Sequence, residues 1–471
     1  MILRIAFRSL TTRPLRSAVL AAGFGLGIGV MVELLGVGQV ILEQAHSPAL
    51  RGGGDVVVSS DFGPLLGARF LLKDVIGSTR FRDRVRAASP SKRATLYVIG
   101  RDQPIPVSVQ GGVPSLERAI GDEEIGDRPA WTDLAADASW TRPPPEEILR
   151  ALDRFHARPA GAVSGFNELS WAEWLYFNGR SRDGRLRFYL SFIAGAANGD
   201  GMRPVNARLQ LDRDARSTSY AASALVNDAD LLARAPDLDV AGNVVRLGGS
   251  QYRISLALTE DGQASSPRAT GPGRRHATRG RLTGAITLDA SPGRSLPPAE
   301  IHGAGGWLTG YVVPALDGTF HGTLLVDGQT ISVDGLAGYH DHNWGYWDGV
   351  HWQWGQVSNG DLSIVYGRVF PPASVADPDR VPGFLGVLGP DGPVAFSTNL
   401  SIEEHDQGDR PRTIDVRARG QQLDMALRFT VAESERTSTF VQLGGVYDVS
   451  GRVRDRDLSF TSRGSAETFR P

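Results

Sequence analysis

The stretch "GYHDHNWGYWDGVHWQWGQ", residues 338–356, carries four of the nine tryptophans and three of the nine histidines of the chain. Its first half predicts a β-strand, in which successive side chains alternate between two faces. One face then carries the side chains of Tyr339, Asp341 and Asn343. The opposite face carries His340 and His342. The stretch therefore predicts a strand with two chemically different faces.

A second strand is predicted at residues 351–357, after a turn around Gly345–Gly349. Alternation places Trp352, Trp354 and Gln356 on one of its faces. A hairpin of the two strands would set the phenol, carboxyl and amide of the first strand beside two indoles.

Three interpretations of this stretch remain open from the residues alone. The first is a metal site, because His340, His342 and His351 with a carboxylate are suitable ligands. Against it, Asp341 faces away from the first two histidines. The second is structural, with aromatic side chains filling a barrel and the polar groups bonded to the backbone.

The third interpretation is an acid in an aromatic-lined apolar cavity. A carboxyl there loses its hydration, so its pKa rises and it can hold a proton at neutral pH. A neighbouring phenol or imidazole can orient or resupply that proton. Indole faces stabilise a developing cation through their quadrupole. Such a set of groups suits the protonation of an alkene or polyene.

The composition of the whole chain indicates two or three β-rich domains. A length of 471 residues exceeds one ordinary domain, and 57 glycines with 28 prolines favour many turns. Strand patterns recur every ~8–12 residues, as in antiparallel sandwiches or barrels. Residues 243–258 and 324–333 predict hairpins, the latter with the turn Asp327-Gly328. A net charge of −2 offers no basic field for nucleic acid, and the lack of cysteine excludes disulfides and thiolate zinc sites.

The N-terminus predicts one transmembrane helix. Residues 1–16 carry four arginines and no acid, and residues 17–42 are apolar except for Glu33. This run has the length of a membrane span and exceeds the apolar core of a signal peptide. The arginines predict a cytoplasmic N-terminus, with the rest of the chain outside the cytoplasm. Gly25 and Gly29, together with Glu33, indicate a partner helix in the membrane.

Residues 121–160 are acidic and rich in proline, and predict a linker with one docked helix. The helix is predicted over Pro145–Phe155, since proline and two glutamates start it and apolar residues recur on one face.

The first quarter of the chain resembles bacterial ABC-transporter permeases of the FtsX and lipoprotein-export type. The resemblance covers the apolar run through "RGGGDVVVSS" (51–60) and continues over residues 55–120. No second apolar run of ~20 residues follows Leu42, so the chain cannot itself form a transport channel of that type.

Residues 160–471 resemble the carotenoid 1,2-hydratase (hydroxyneurosporene synthase) family and the related AttH-like proteins. The matching motifs are "AGYHDHNWG" (337–345), the W-x-W-x-Q of residues 352–356, and residues 167–195 with Glu173-Trp174-x-Tyr176-Phe177. Leu175 departs from the second aromatic residue of the family motif. The resemblance implies two lipocalin-like barrels, with Asp341 as proton donor and Tyr339 beside it.

The predicted fold class is mainly β, with two tandem lipocalin-like antiparallel β-barrels. One transmembrane helix and a small α/β permease-like segment precede them. The predicted domains are the basic N-terminus and helix (1–47), the permease-like segment (48–120), the linker (121–160), the first barrel (161–335) and the second barrel (336–471).

The predicted function is a hydratase-like lyase that protonates an alkene of a lipophilic isoprenoid-type substrate and adds water, without a cofactor. The predicted catalytic residues are Asp341, Tyr339 and His342. The predicted substrate-binding residues are Trp344, Trp352, Trp354, Asn343, Trp174 and Tyr176. The alternatives are a cyclase or isomerase started by the same protonation, and a membrane-tethered carrier associated with an ABC exporter. The expected location is the inner membrane, with the barrels on the extracytoplasmic side and an exporter subunit as a possible partner through Glu33.

Overall fold

The structure is a computed structural model of the chain. It describes residues 14–15, 56–58, 68, 71–72, 84–99, 104–137, 144–159, 166–214, 216–261, 280–290, 295–360, 362–390, 392–407, 410–420, 422–437 and 440–469. The predicted transmembrane helix at residues 17–42 lies outside these residues. Among the residues described, no helix combines the length and the apolar character that crossing a membrane requires.

The chain divides into two compact units, of which the first comprises Met1–Leu65 and Val85–Ala138. Its described part holds an antiparallel hairpin of strands β1 (Ser91–Ile99) and β2 (Pro104–Gly112). Two short helices follow, α1 (Pro114–Ala119) and α2 (Glu123–Gly126). The second unit comprises Leu66–Arg84 and Ser139–Pro471 and contains all the remaining strands of the described chain.

The first barrel occupies the N-terminal part of the second unit. Its strands are β3 (Trp171–Arg180), β4 (Leu186–Ala194), β5 (Met202–Arg213), β6 (Arg216–Asn227), β7 (Leu238–Val240), β8 (Asn243–Gly248), β9 (Gln251–Glu260), β10 (Arg281–Ala290), β11 (Leu296–His302), β12 (Leu308–Val326), β13 (Gln329–Ser332) and β14 (Leu336–Tyr346). Helices α3 (Pro145–Leu152) and α4 (Asp228–Arg234) and short 3-10 turns at Glu168–Ser170 and Ala304–Gly306 accompany them.

Eight antiparallel strands close this barrel, in the order β10-β12-β14-β3-β4-β5-β6-β9, with β9 paired back to β10. Strands β8 and β7 extend from β9, while β11 and β13 pair with β12. Apolar side chains such as those of Phe177, Phe188 and Leu209 fill the interior. The predicted hairpins are confirmed: β8 pairs with β9, and β12 pairs with β13 across a turn in which Asp327 and Gly328 both have positive φ.

The second barrel contains nine antiparallel strands. They are β15 (His351–Asn359), β16 (Leu362–Phe370), β17 (Phe384–Gly389), β18 (Gly392–Ser397), β19 (Asn399–Gln407), β20 (Arg410–Gly420), β21 (Leu423–Thr437), β22 (Phe440–Val453) and β23 (Arg456–Phe469). Their order is β18-β17-β16-β15-β23-β22-β21-β20-β19. The two ends of the sheet approach each other, since the Ser397 hydroxyl of β18 donates to the Arg419 carbonyl of β20. The predicted mainly-β fold with two antiparallel barrels is therefore confirmed.

Strand β14 belongs to the first barrel, where it lies between β12 and β3. The boundary predicted at residue 336 precedes this strand, whereas the first barrel extends to Tyr346 and the second begins at His351. The predicted hairpin of the two aromatic strands does not form, because β14 is paired along both edges and has no free edge for β15. Strand β15 pairs with β16 and β23 instead.

The predicted helix in the linker is confirmed as α3, which docks on the first barrel. Its apolar face buries Ile148, Leu149 and Leu152. The Arg150 guanidinium donates to Asp237 at 3.1 Å and to the Leu247 carbonyl at 2.6 Å. The segment that follows α3 thereby enters the barrel interior and carries a fully buried carboxyl, that of Asp153.

Candidate functional site

A cavity of about 1000 Å³ lies between the two barrels. The outward faces of β3, β4, β5 and β14 form the wall contributed by the first barrel, together with β11 and β12. The second barrel contributes β15, β16, β17, β18, β22 and β23. The aromatic part of the lining consists of Trp174, Tyr176, Tyr189, Tyr311, Trp347, Trp352, Trp354, Phe384, Phe396 and Phe469. The cavity therefore suits a largely apolar ligand.

Asp341 projects from β14 into the wall of this cavity and is almost fully buried. The Tyr339 hydroxyl donates to Oδ2 at 2.8 Å, and the Asn343 amide donates to Oδ1 at 2.7 Å. No ion-pair partner of Asp341 is found within the described chain. Burial raises its pKa well above the usual value, and the charge of Glu467 raises it further, against the two hydrogen bonds. We infer that Asp341 holds a proton at neutral pH.

A chain of hydrogen bonds from Trp354 through Tyr311 and Tyr339 ends at the Asp341 carboxyl and holds it in place. The Trp354 indole donates to the Tyr311 hydroxyl at 3.0 Å, which is bonded to the Tyr339 hydroxyl at 2.7 Å. Because the indole can only donate, each phenol in turn can donate to the next group and finally to Asp341. Burial raises the pKa of Tyr311 and Tyr339 well above the usual value, so both remain donors. Trp354 thus fixes the carboxyl across the junction of the two barrels.

Glu467, on the last strand β23, is a second carboxyl at the cavity wall. The Tyr176 hydroxyl donates to its Oε1 at 2.8 Å, and the Gln442 amide donates to that hydroxyl at 3.3 Å. The surrounding protein removes much of its hydration, which raises the pKa of Glu467 to about 7 despite these donors. Sequence reasoning missed Glu467 and Tyr311, since no local motif marks either of them.

The opposite face of β14 points into the first barrel. The His340 ring nitrogens lie 2.9 Å from the Tyr176 carbonyl and 3.1 Å from both Asp153 oxygens. Those of His342 lie 3.0 Å from the Leu152 carbonyl and 2.9 Å from Glu173. Burial lowers the pKa of His342, but the hydrogen bond and charge of Glu173 outweigh it, and the net pKa is raised. His342 therefore lies between two acceptors as an imidazolium.

His156, Glu173 and His342 place one ligand atom each within 4.8 Å of one another, the spacing of a metal site. Their contacts instead describe an ionic network. The backbone N–H of His156 already donates to both Glu173 oxygens, at 3.0 and 2.9 Å. The buried Arg203 guanidinium lies 3.7 Å from Glu173 and opposes a second cation. The set considered from the sequence does not assemble, because His351 lies on β15 of the other barrel.

The structure separates the predicted site residues into two groups. Those that line the cavity are Asp341, Asn343, Trp174, Tyr176, Trp352 and Trp354. Tyr339 lies behind Asp341 on the same face of β14. His342 and Trp344 project from the other face, where Trp344 stacks on His156 with 4.3 Å between ring centroids. The predicted contact of His342 and Trp344 with a substrate is therefore corrected, since strand alternation directs them away from the cavity.

No protein-family model and no curated protein matches the sequence. Among solved structures, the chain is similar to a protein assigned as AttH from Nitrosomonas europaea, with 15% identity and a TM-score of 0.41. That match covers 66% of this chain and 98% of the other. CghA in complex with Sch210972 gives 12% identity and a TM-score of 0.39, covering 68% and 97%. CghA alone gives 13% identity and a TM-score of 0.39, and the match covers 68% of this chain and 96% of the other. At these TM-scores the similarities carry no argument about function.

The substitution Glu173→Gln should strongly destabilise the first barrel. It removes one charge from a buried network and leaves the buried His342 without the carboxylate at its Nε2, which costs ~3–5 kcal/mol in comparable buried pairs. Arg203 keeps Asp228 as its remaining anion. Urea unfolding measures the loss. Glu168→Gln is the matched control, because its ion pair with Arg158 is exposed and such pairs contribute ~0–1 kcal/mol. Equal midpoints for the two variants would contradict the network.

The pKa of Glu467 predicts a stability that falls with rising pH. The folded pKa of about 7 lies above the ordinary 4.5, so the folded state binds more protons between these two pH values. The loss of stability caused by ionising Glu467 in the folded state is absent below pH 4.5 and complete above pH 7. It reaches at most about 3 kcal/mol, at ~1.4 kcal/mol per pKa unit.

Glu467→Gln should flatten this pH dependence in urea unfolding, whereas the exposed Glu403→Gln should keep the slope of the unmodified protein. An unchanged slope in Glu467→Gln would show that Glu467 stays hydrated in the folded protein.

Proposed function

We propose that the protein protonates a carbon–carbon double bond of a lipophilic, isoprenoid-type substrate and adds water to the cation that forms. The observation that carries this proposal is a buried carboxyl, Asp341, in the wall of an aromatic-lined cavity, where burial raises its pKa. A neutral carboxylic acid that faces an apolar ligand can donate its proton to an alkene. The activity proposed is thus of the carotenoid 1,2-hydratase type.

Groups in the cavity wall support both the protonation of the alkene and the cation that forms. The alkene lies against Asp341, which the Tyr339 and Asn343 hydrogen bonds hold in place. Proton transfer to carbon leaves a tertiary cation, and the indoles of Trp352, Trp354 and Trp174 lie in the cavity wall to stabilise it. Water then attacks the cation. Trp344 has no part in this step, because it faces the first barrel.

The resemblance of residues 337–345 and 352–356 to the hydratase family supports the same assignment. That family uses a Tyr-x-Asp pair with the aspartate as proton donor, which corresponds to Tyr339 and Asp341 in this chain. The two residues share a hydrogen bond of 2.8 Å at the cavity wall. Cyclisation and isomerisation begin with the same protonation as hydration and differ from it only in how the cation is quenched.

A lipid carrier is the alternative of another class. An apolar cavity alone would serve a carrier, which gains nothing from a desolvated acid among its walls. Asp341 has no ion-pair partner among the described residues, and its burial is costly without a chemical role. We therefore favour catalysis, and the experiment below distinguishes the two.

We also propose that the protein is anchored in the inner membrane through residues 17–42, with the barrels outside the cytoplasm. In a host cell the full chain should pellet with membranes and resist extraction by alkaline carbonate. A variant that starts at residue 48 and carries a heterologous export signal should be released as a free protein. Recovery of the full chain in the free fraction would exclude the anchor.

Asp341→Asn should abolish turnover while the protein still binds its ligand. The full chain is incubated with a total lipid extract supplemented with lycopene, an acyclic isoprenoid polyene, and the products are analysed by mass spectrometry. The unmodified protein should add the mass of one water molecule. Asp341→Asn should slow this by ~100-fold or more, because the amide has no proton to give.

The exposed Asp424→Asn is the matched control and should retain full activity. Lipid that binds to the protein but is recovered unchanged would support a carrier. A product of unchanged mass but altered retention would indicate cyclisation or isomerisation. Full turnover by Asp341→Asn would exclude this carboxyl as the donor.

A further inference from the structure

Three carboxyls line the cavity. Glu300 is paired with His302 at 3.0 Å and accepts from the Trp344 indole, so it is held by its own partners. Each barrel supplies one of the other two. Asp341 comes from β14 of the first barrel and Glu467 from β23 of the second. Both line the same cavity, and neither has an ion-pair partner within the described part of the chain. The mechanism above uses Asp341 only. A second acidic group at the wall of an apolar cavity therefore needs its own explanation.

Hydrogen-bond donors around Glu467 offset part of the cost of its burial, so that with a pKa of about 7 a share of the group is a carboxylate at neutral pH. Its Oε1 accepts from the Tyr176 hydroxyl at 2.8 Å, and the Trp352 indole is a further hydrogen-bond donor to the group. The Gln442 amide, on strand β22 beside β23, donates to the Tyr176 hydroxyl at 3.3 Å. Donors of this kind stabilise the charged form of a carboxyl.

The two carboxyls also act on each other. The charge of Glu467 is the main electrostatic cause that raises the pKa of Asp341, after burial. Two carboxyls that share one apolar site do not both ionise easily, so the proton remains on one of them. Asp341 is the more deeply buried of the two, whereas Glu467 is partly exposed to the cavity. The proton therefore rests on Asp341.

We propose that Glu467 is the proton acceptor of the site and works with Asp341 as the donor. The proposal rests on the function proposed above and adds the group that completes the reaction. The π electrons of the alkene form a C–H bond with the proton of Asp341, which becomes a carboxylate. Water forms a C–O bond with the cation, and its proton passes to the carboxylate of Glu467.

The atoms and charges of this sequence balance. Alkene and water become an alcohol, while one proton has moved from Asp341 to Glu467. Return of that proton through water restores the starting state. If no water reaches the cation, Glu467 removes a proton from the adjacent carbon instead, and an isomeric alkene results. The acceptor therefore influences which product forms.

Deuterium labelling distinguishes the loss of the proton acceptor from the loss of the proton donor. The full chain is incubated in D₂O with the lycopene-supplemented lipid extract, and both product and recovered substrate are analysed by mass spectrometry. The unmodified protein should form a product with deuterium bound to carbon. Glu467→Gln should reduce product formation by ~100-fold or more. Its recovered substrate should still gain deuterium, since Asp341 protonates the alkene and the cation returns a proton to it.

Asp341→Asn should show neither product nor exchange, and the exposed Glu403→Gln should match the unmodified protein. Glu467→Asp, which keeps a carboxylate, should restore part of the product formation. Retained exchange in Glu467→Gln would also demonstrate that its site is folded.

Product formation by Glu467→Gln at the full rate would overturn the acceptor role and leave the proposed function intact. Loss of both product and exchange in a folded Glu467→Gln protein, as judged by circular dichroism, would overturn it as well, because protonation needs no acceptor. An unmodified protein that gives neither product nor exchange would overturn the acceptor and the proposed function together.

Discussion

The buried ionic network on the inner face of β14 is the constraint on which the site depends. His342 lies between the Leu152 carbonyl and Glu173, and Glu173 is held in turn by His156 and by the buried Arg203. A one-residue slip of β14 would send these groups to the other face and leave their partners without charge compensation. The network therefore fixes the register of β14, and with it the direction of Asp341.

The same network explains why the segment after α3 lies inside the first barrel. Asp153 accepts from the Tyr252 hydroxyl at 2.6 Å and lies 3.1 Å from the His340 ring. His156 stacks on Trp344 and bonds to Glu173 at 2.7 Å. The linker thus supplies the Asp153 carboxyl and the His156 imidazole to the network around β14. It is part of the barrel core and more than a connection between domains.

Much of the fold and half of the site could be predicted from the sequence, for a physical reason. Alternation within a strand is local, so the common face of Tyr339 and Asp341 followed from their spacing alone. The turn Asp327-Gly328 and the apolar face of α3 are local in the same sense. Strand partners are not local. The pairing of β14 with β3 and β12, and the arrival of Glu467 through β23, depend on contacts between distant segments.

The placement of the cavity between two barrels has a thermodynamic consequence. Each barrel has its own hydrophobic core, so neither requires the other to bury its interior. The cavity exists only while the two barrels are docked. A ligand bound in it therefore stabilises the docked arrangement by mass action. A bound ligand thereby adds to the apolar contacts and hydrogen bonds that already join the two barrels, and acts as a reversible cross-link between them.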